Sequence, residues 1–127
     1  MKKDQPFSLG SRLKSFTHAV RGLLDILRTE HNARVHAVIS VLVCAAALWL
    51  RLDAPRLALV MLSIVAVWMA EAFNTVFEIL ANILSPEYSP YIRRAKDVGA
   101  AAVLISAAGA AMVGLLLLGP PLLQKIS

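Results

Sequence analysis

"WMAEAFNTVFEILANILS", residues 68–85, decides how this chain is read. It belongs to a long apolar run, yet it holds two glutamates, Glu71 and Glu78, and two asparagines, Asn74 and Asn82. Glu71, Asn74 and Glu78 stand at i, i+3 and i+7, the spacing that brings side chains to one face of an α-helix. An ionisable side chain at the centre of a membrane helix costs about 2.5–3.5 kcal/mol on insertion scales, so such a residue is a functional candidate by default. A plain interhelical hydrogen bond or ion pair is the competing explanation, and it is stronger for Glu78, which lies nearer the end of the run.

The run around this stretch extends over 57–84 and spans roughly 42 Å as a helix. That exceeds a bilayer core, so part of it must project. Two further runs flank it. Residues 35–50 cover roughly 24 Å between Arg34 and Arg51, whose stems can snorkel to the interface. Residues 98–118 are uncharged and long enough to span. Between the runs, "RLDAPR" (51–56) reads as a tight turn in which Pro55 discourages helix at Ala54. "SPEYSPYIRR" (85–94) reads as a polar loop, and Gly119, Pro120 and Pro121 as the end of the third span. Upstream, Leu9, Leu13, Phe16, Val20, Leu23, Leu24 and Leu27 recur at helical spacing, with Lys14, His18, Arg21, Asp25 and Arg28 broadly opposite. Residues 8–30 therefore read as an amphipathic helix suited to the membrane interface; docking on a soluble partner is the alternative.

Composition agrees. Of 127 residues, 58% are hydrophobic and 17% charged, which points to a membrane protein. The net charge of +5 is spread around the apolar runs, as anionic headgroups favour, and nucleic acid is not an expected partner. Cys44 lies in an apolar run and is expected to be an inert thiol. No Cys/His spacing suits zinc, and the N-terminus lacks the pattern of a signal peptide. Lysines and arginines concentrate before residue 35 and at Arg93, Arg94 and Lys96, with only Arg51, Arg56 and Lys125 elsewhere. The N-terminus and the 85–97 loop are thus expected on the cytoplasmic side and the C-terminus outside. The expected fold is all-α, one domain over 1–127: a surface helix and three transmembrane helices. Ala102, Ser106, Ala110 and Gly114 form a stripe that admits a close helix neighbour, and three helices enclose little interior, so a homo-oligomer is expected.

Glu30, with His31, Asn32 and Arg34, ends the surface helix; "RRAKD" (93–97) brings Lys96 and Asp97 to the same side. Paired carboxylates with open positions suit magnesium and its phosphate ligands. Lysine and arginine suit phosphate, and a deep carboxylate can take a proton from a hydroxyl. Phosphoryl transfer at a membrane is therefore permitted. A cation channel or transporter subunit would use the same residue types, and a structural assembly factor with a degenerate site is the third reading. No GxxxxGK[ST] loop or soluble-kinase signature occurs.

"EAFNTVFE" (71–78) resembles the pattern E-x-x-N-[ST]-x-x-E of the prokaryotic diacylglycerol kinase and undecaprenol kinase family. "AKDVGAAAV" (95–103) is similar to its A-K-D block, and "AVRGLLDILRTEHNARVH" (19–36) to its surface-helix segment. The three occur in the family's order and cover nearly the whole chain. The resemblance implies a homotrimer in the bacterial cytoplasmic (inner) membrane that moves the ATP γ-phosphate to a lipid hydroxyl with Mg2+, at sites shared between subunits. It implies Glu71 as general base, Glu30 and Glu78 as magnesium and nucleotide ligands, and Asn74 as a residue that orders the site. It further implies Lys96 and Asp97 on the nucleotide side, Glu87 and Tyr88 in the loop bordering the nucleotide, and Arg34 and Arg21 on the lipid side. Four positions depart from common patterns. Asn82 stands for an aspartate, Ser89 for the histidine of many undecaprenol-type members, Ala100 for the serine and His18 for the tyrosine of the enterobacterial type. The acceptor, undecaprenol or diacylglycerol, stays open, with "SPEYSP" and "FNT" closer to the undecaprenol branch.

Overall fold

A computed structural model describes residues 8–127. Four helices make up the described chain: α1 (Leu9–Thr29), α2 (His31–Trp49), α3 (Ala54–Leu84) and α4 (Pro90–Ile126). The last three are each long and apolar enough to cross a membrane. The all-α reading and the three spans hold, with α1 ahead of them.

The helix ends differ from expectation for identifiable reasons. Glu30 caps both α1 and α2 with one extended residue (φ −96°, ψ 121°), so the chain turns a corner there and α2 begins at His31, ahead of the apolar run. Arg34 holds the corner. Its Nε donates to the Leu27 carbonyl at 3.1 Å and a terminal nitrogen donates to the Arg28 carbonyl at 2.6 Å. These are among the carbonyls that a helix leaves unbonded at its C-terminus, where a cation is also favoured by the helix dipole.

Pro55 does not keep Ala54 out of helix. It sits in the first turn of α3, where its missing N–H would have had no partner anyway. Asp53 caps that turn, its carboxylate accepting from the Arg56 N–H at 3.1 Å. Nor does the 85–94 segment remain a loop. Pro90 opens α4 by the same logic, leaving only 85–89 as connection. Gly119, Pro120 and Pro121 do not end the third span either, and α4 runs through both prolines to Ile126. Their rings remove two N–H donors near the end of the apolar run. Beyond them, Lys125 Nζ donates to the Trp49 carbonyl at 3.0 Å and lies 4.3 Å from the centre of its ring. An aromatic and a snorkelling lysine thus tie the end of α4 to the end of α2, as amphipathic residues do at a membrane boundary.

The short 85–89 link makes α3 and α4 antiparallel neighbours, and theirs is the most extensive pairing in the chain. The buried apolar residues are few and mostly small: Ala33, Ala47, Val60, Val67, Ala81 and Val103. Large apolar side chains such as Leu42, Leu62, Ile83, Leu104 and Leu115 point outward, as do Leu9, Leu13 and Phe16 of α1. A protein turned outward in this way has hydrocarbon or other subunits as its surroundings.

Candidate functional site

Of the polar residues of 68–85, Glu71, Asn74 and Thr75 are buried and Glu78 is half-buried, while Asn82 is exposed. Glu71 is only 1% exposed and is, with Val60, the largest fully buried side chain; Asn74 and Thr75 are buried beside it. Helical periodicity produces this: α3 turns its large apolar residues, among them Phe73, Phe77 and Leu80, outward, which leaves Glu71, Asn74 and Glu78 facing the neighbouring helices. Thr75 returns its hydroxyl to the Glu71 carbonyl at 3.0 Å, so it satisfies itself locally and leaves the carboxylate alone. Asn74 Nδ2 donates to Glu78 Oε1 at 3.3 Å, and Glu78 is half-buried. The i, i+3, i+7 reading is therefore realised as a continuous polar line.

Other elements close on that line. Glu30, at the α1–α2 corner, and Glu78 are both near enough to act electrostatically on Glu71, and so is His36 of α2. His36 Nε2 stands 3.8 Å from Glu71 Oε2. From α4, Gly99 meets Asn74 so closely that a β-carbon there would lie 2.5 Å from Asn74 Oδ1. Further along, Lys96 Nζ donates to Asn82 Oδ1 at 2.6 Å. A cavity of about 670 Å3 opens beside that bond, lined in part by Glu87, Tyr88, Arg93 and Lys96.

The structure thus gathers Glu30, Glu71, Asn74 and Glu78 at one place, and Lys96, Glu87 and Tyr88 around the adjoining polar cavity. Asp97 is exposed and makes no hydrogen bond or ion pair among the described residues. Arg21 is exposed on α1, away from these contacts. Arg34 spends its guanidinium on the end of α1. Sequence reasoning passed over His36 and Gly99. His36 had a signal, being an ionisable residue in a spanning helix. The demand on Gly99 depends on how α4 lies against α3, and spacing within one helix does not contain that.

As a metal site the donors are sparse: no group of three or more His, Cys, Asp or Glu is arranged for an ion among the described residues. Glu30 Oε1 accepts from Thr29 Oγ1 at 3.3 Å and Glu78 Oε1 from Asn74, so each carboxylate keeps an oxygen to offer. One or two carboxylates completed by phosphates and water is the shell magnesium accepts, and this donor set fits it.

Comparison with known proteins agrees with the geometry. The family model described as prokaryotic diacylglycerol kinase matches residues 17–118. An undecaprenol kinase of Bacillus subtilis is 31% identical over 120 residues, covering 94% of this chain and 98% of the relative. A diacylglycerol kinase of Synechocystis is 37% identical over 113 residues, covering 88% of this chain and 65% of that protein. The diacylglycerol kinase of Escherichia coli K12 is 32% identical over 94 residues, covering 74% of this chain and 77% of the relative. The match spans α2, α3 and most of α1 and α4, including every residue of the polar line. With three membrane-type helices around a buried carboxylate, the chain belongs to the prokaryotic diacylglycerol kinase family and is a membrane-embedded lipid kinase.

Proposed function

We propose that this protein transfers the γ-phosphate of ATP to the hydroxyl of a polyprenol of the undecaprenol class, at the cytoplasmic face of the bacterial inner membrane, within a homotrimer whose sites are shared between subunits. The observation that carries the reading is Glu71: a carboxylate 1% exposed, in a spanning helix, with Oε2 unpartnered. Among the described residues no hydrogen bond satisfies that oxygen, and burying it so costs free energy unless a ligand supplies the missing partner.

Glu71 is the general base. It takes the proton of the lipid hydroxyl as that oxygen forms its bond to the γ-phosphorus and the bond from phosphorus to the ADP oxygen breaks. The products are lipid monophosphate and ADP. Asn74, bonded to Glu78, keeps the neighbouring carboxylate in place. Glu30 and Glu78 would hold a magnesium ion, which would supply positive charge against that of the phosphates. Lys96, and Asp97 as support, serve the nucleotide from the cavity bordered by Glu87 and Tyr88; Arg34 and Arg21 lie on the lipid side. Catalysis in phosphoryl transfer is largely positioning and charge neutralisation, and no soluble-kinase loop is needed for it. The polyprenol assignment is supported by the nearly complete mutual coverage with the Bacillus subtilis undecaprenol kinase. The clustering of lysine and arginine supports the cytoplasmic face, and the outward apolar faces leave room for neighbouring subunits.

The test is phosphate transfer from labelled ATP to a panel of lipid alcohols in bilayers. Undecaprenol is expected to be the best acceptor, ahead of diacylglycerol. Glu71→Gln should keep nucleotide binding and lose activity by about 100-fold or more, the range of general-base contributions. Folded protein that labels no lipid in the panel overturns the reading, and a Glu71→Gln variant near the normal rate removes Glu71 as base.

A further inference from the structure

Among the described residues, three buried side-chain atoms lack a hydrogen-bond partner: His36 Nε2, Glu71 Oε2 and Asn74 Oδ1. Two of them face each other. His36 Nε2 and Glu71 Oε2 are 3.8 Å apart across the α2–α3 contact, and their side chains are 15% and 1% exposed. That separation is too long for a direct hydrogen bond. An oxygen set to one side of the line between them, about 2.8 Å from each, satisfies both. The same imidazole heads an apolar cavity of about 550 Å3 whose walls include Ile39, Val43, Val60, Ile64 and Val67. One turn deeper, Trp68 Nε1 donates to Ser40 Oγ at 3.1 Å. Ser40 follows His36 by four residues and Trp68 precedes Glu71 by three, so this bond fixes the register in which the two orphaned atoms meet.

We propose that His36 is a second acceptor-binding residue: the lipid hydroxyl sits between His36 Nε2 and Glu71 Oε2, accepting from the imidazole N–H and donating to the carboxylate. Glu71 was placed by its sequence pattern, whereas His36 enters here through its position against Glu71. The chemistry of the place selects the ligand. A small polar opening with two unmet hydrogen-bonding atoms, at the head of an apolar cavity, matches a single hydroxyl on a hydrocarbon body. It matches a phosphate poorly, because the carboxylate would repel it. An alcohol oxygen that accepts from His36 keeps one lone pair for phosphorus while its proton points at Glu71. The imidazole therefore sets the angle at which the nucleophile meets the γ-phosphate and has no part in holding the nucleotide. In the transfer itself, the hydroxyl proton passes to Glu71, the oxygen–phosphorus bond forms and ADP leaves with its oxygen; His36 neither gains nor loses a proton.

This inference rests on the lipid kinase reading, and its test separates the two. Wild type, His36→Leu and His36→Gln are compared in bilayers, varying undecaprenol and ATP independently. His36→Leu should lower kcat/KM for undecaprenol at least tenfold and leave KM for ATP within twofold of wild type. His36→Gln, which restores an N–H donor, should recover most of the loss. Without ATP, farnesol, a short prenol, should raise the Tm of wild type and of His36→Gln but not of His36→Leu. Wild type that phosphorylates no lipid overturns the kinase reading and this inference with it. Active wild type beside a His36→Leu variant with unchanged acceptor kinetics overturns the inference alone. So does a His36→Leu variant whose ATP and acceptor parameters fall together without rescue by glutamine, the pattern of a packing defect.

Discussion

Asn74 shows how much of the site depends on single side chains. It is buried, gives one hydrogen bond to Glu78 and is pressed against Gly99. A methyl group at position 99 would need the space of Asn74 Oδ1, so Gly99→Ala forces Asn74 to rotate and give up Glu78. Overpacking of this kind costs about 1–3 kcal/mol. Gly99→Ala should therefore lower Tm in detergent and, with Glu78 released, weaken the dependence of activity on magnesium. Wild-type Tm and an unchanged magnesium profile would show that Asn74 has room to yield. Asn82, which had no role by sequence, accepts from Lys96 at 2.6 Å. A neutral amide holds the lysine in place without cancelling its charge, which an aspartate at that position would do.

Between α2 and α3 the chain turns on a residue in an unfavourable conformation. Arg51 has φ 54° and is the one non-glycine residue with positive φ among those described. Its N–H reaches the Leu48 carbonyl and the Leu52 N–H reaches the Ala47 carbonyl, each at 3.1 Å. That pair of bonds is the Schellman ending of a helix, in which the left-handed position is usually glycine. Left-handed backbone costs an L-residue with a β-carbon about 1–2 kcal/mol. Arg51→Gly should accordingly raise Tm without changing turnover, since the turn lies at the end of the bundle away from the polar line. A fall in Tm would mean that the arginine stem contributes more at the interface than its backbone loses. Within α4, the two prolines are tolerated because Lys125 and Trp49 lock the segment beyond them.

For the molecule as a whole, one chain buries little apolar surface within itself. Among the described residues the buried apolar set is six, three of them alanine. The small-residue stripe of α4 is used in part within the chain, where Ala110 and Gly114 border the apolar cavity, while Ala102 is left exposed at its far end. A trimer that shares its sites makes a distinct prediction. Glu71→Gln and Lys96→Met protomers, each inactive alone, should regain part of the wild-type activity when co-assembled, because some interfaces then hold both intact residues. Mixtures that stay inactive at every ratio would confine the site to one chain.

The sequence by itself determined the number and type of the helices and the polar face of α3, because hydropathy and the 3.6-residue repeat are properties of each segment alone. It also placed Glu71, Asn74 and Glu78 on one line, and its motifs carried the family. The ends of the helices escaped it. Pro55, Pro90, Pro120 and Pro121 read as breaks, yet a proline in a first turn loses no bond, and α4 continues through the last two to Ile126. Only the tertiary structure brought His36 to Glu71, Gly99 to Asn74 and Lys96 to Asn82, and turned Arg34 onto the end of α1. Each of those pairings joins residues on different helices. Their meeting depends on how far one helix slides and turns against the next, and packing fixes that while no repeat within a single helix records it.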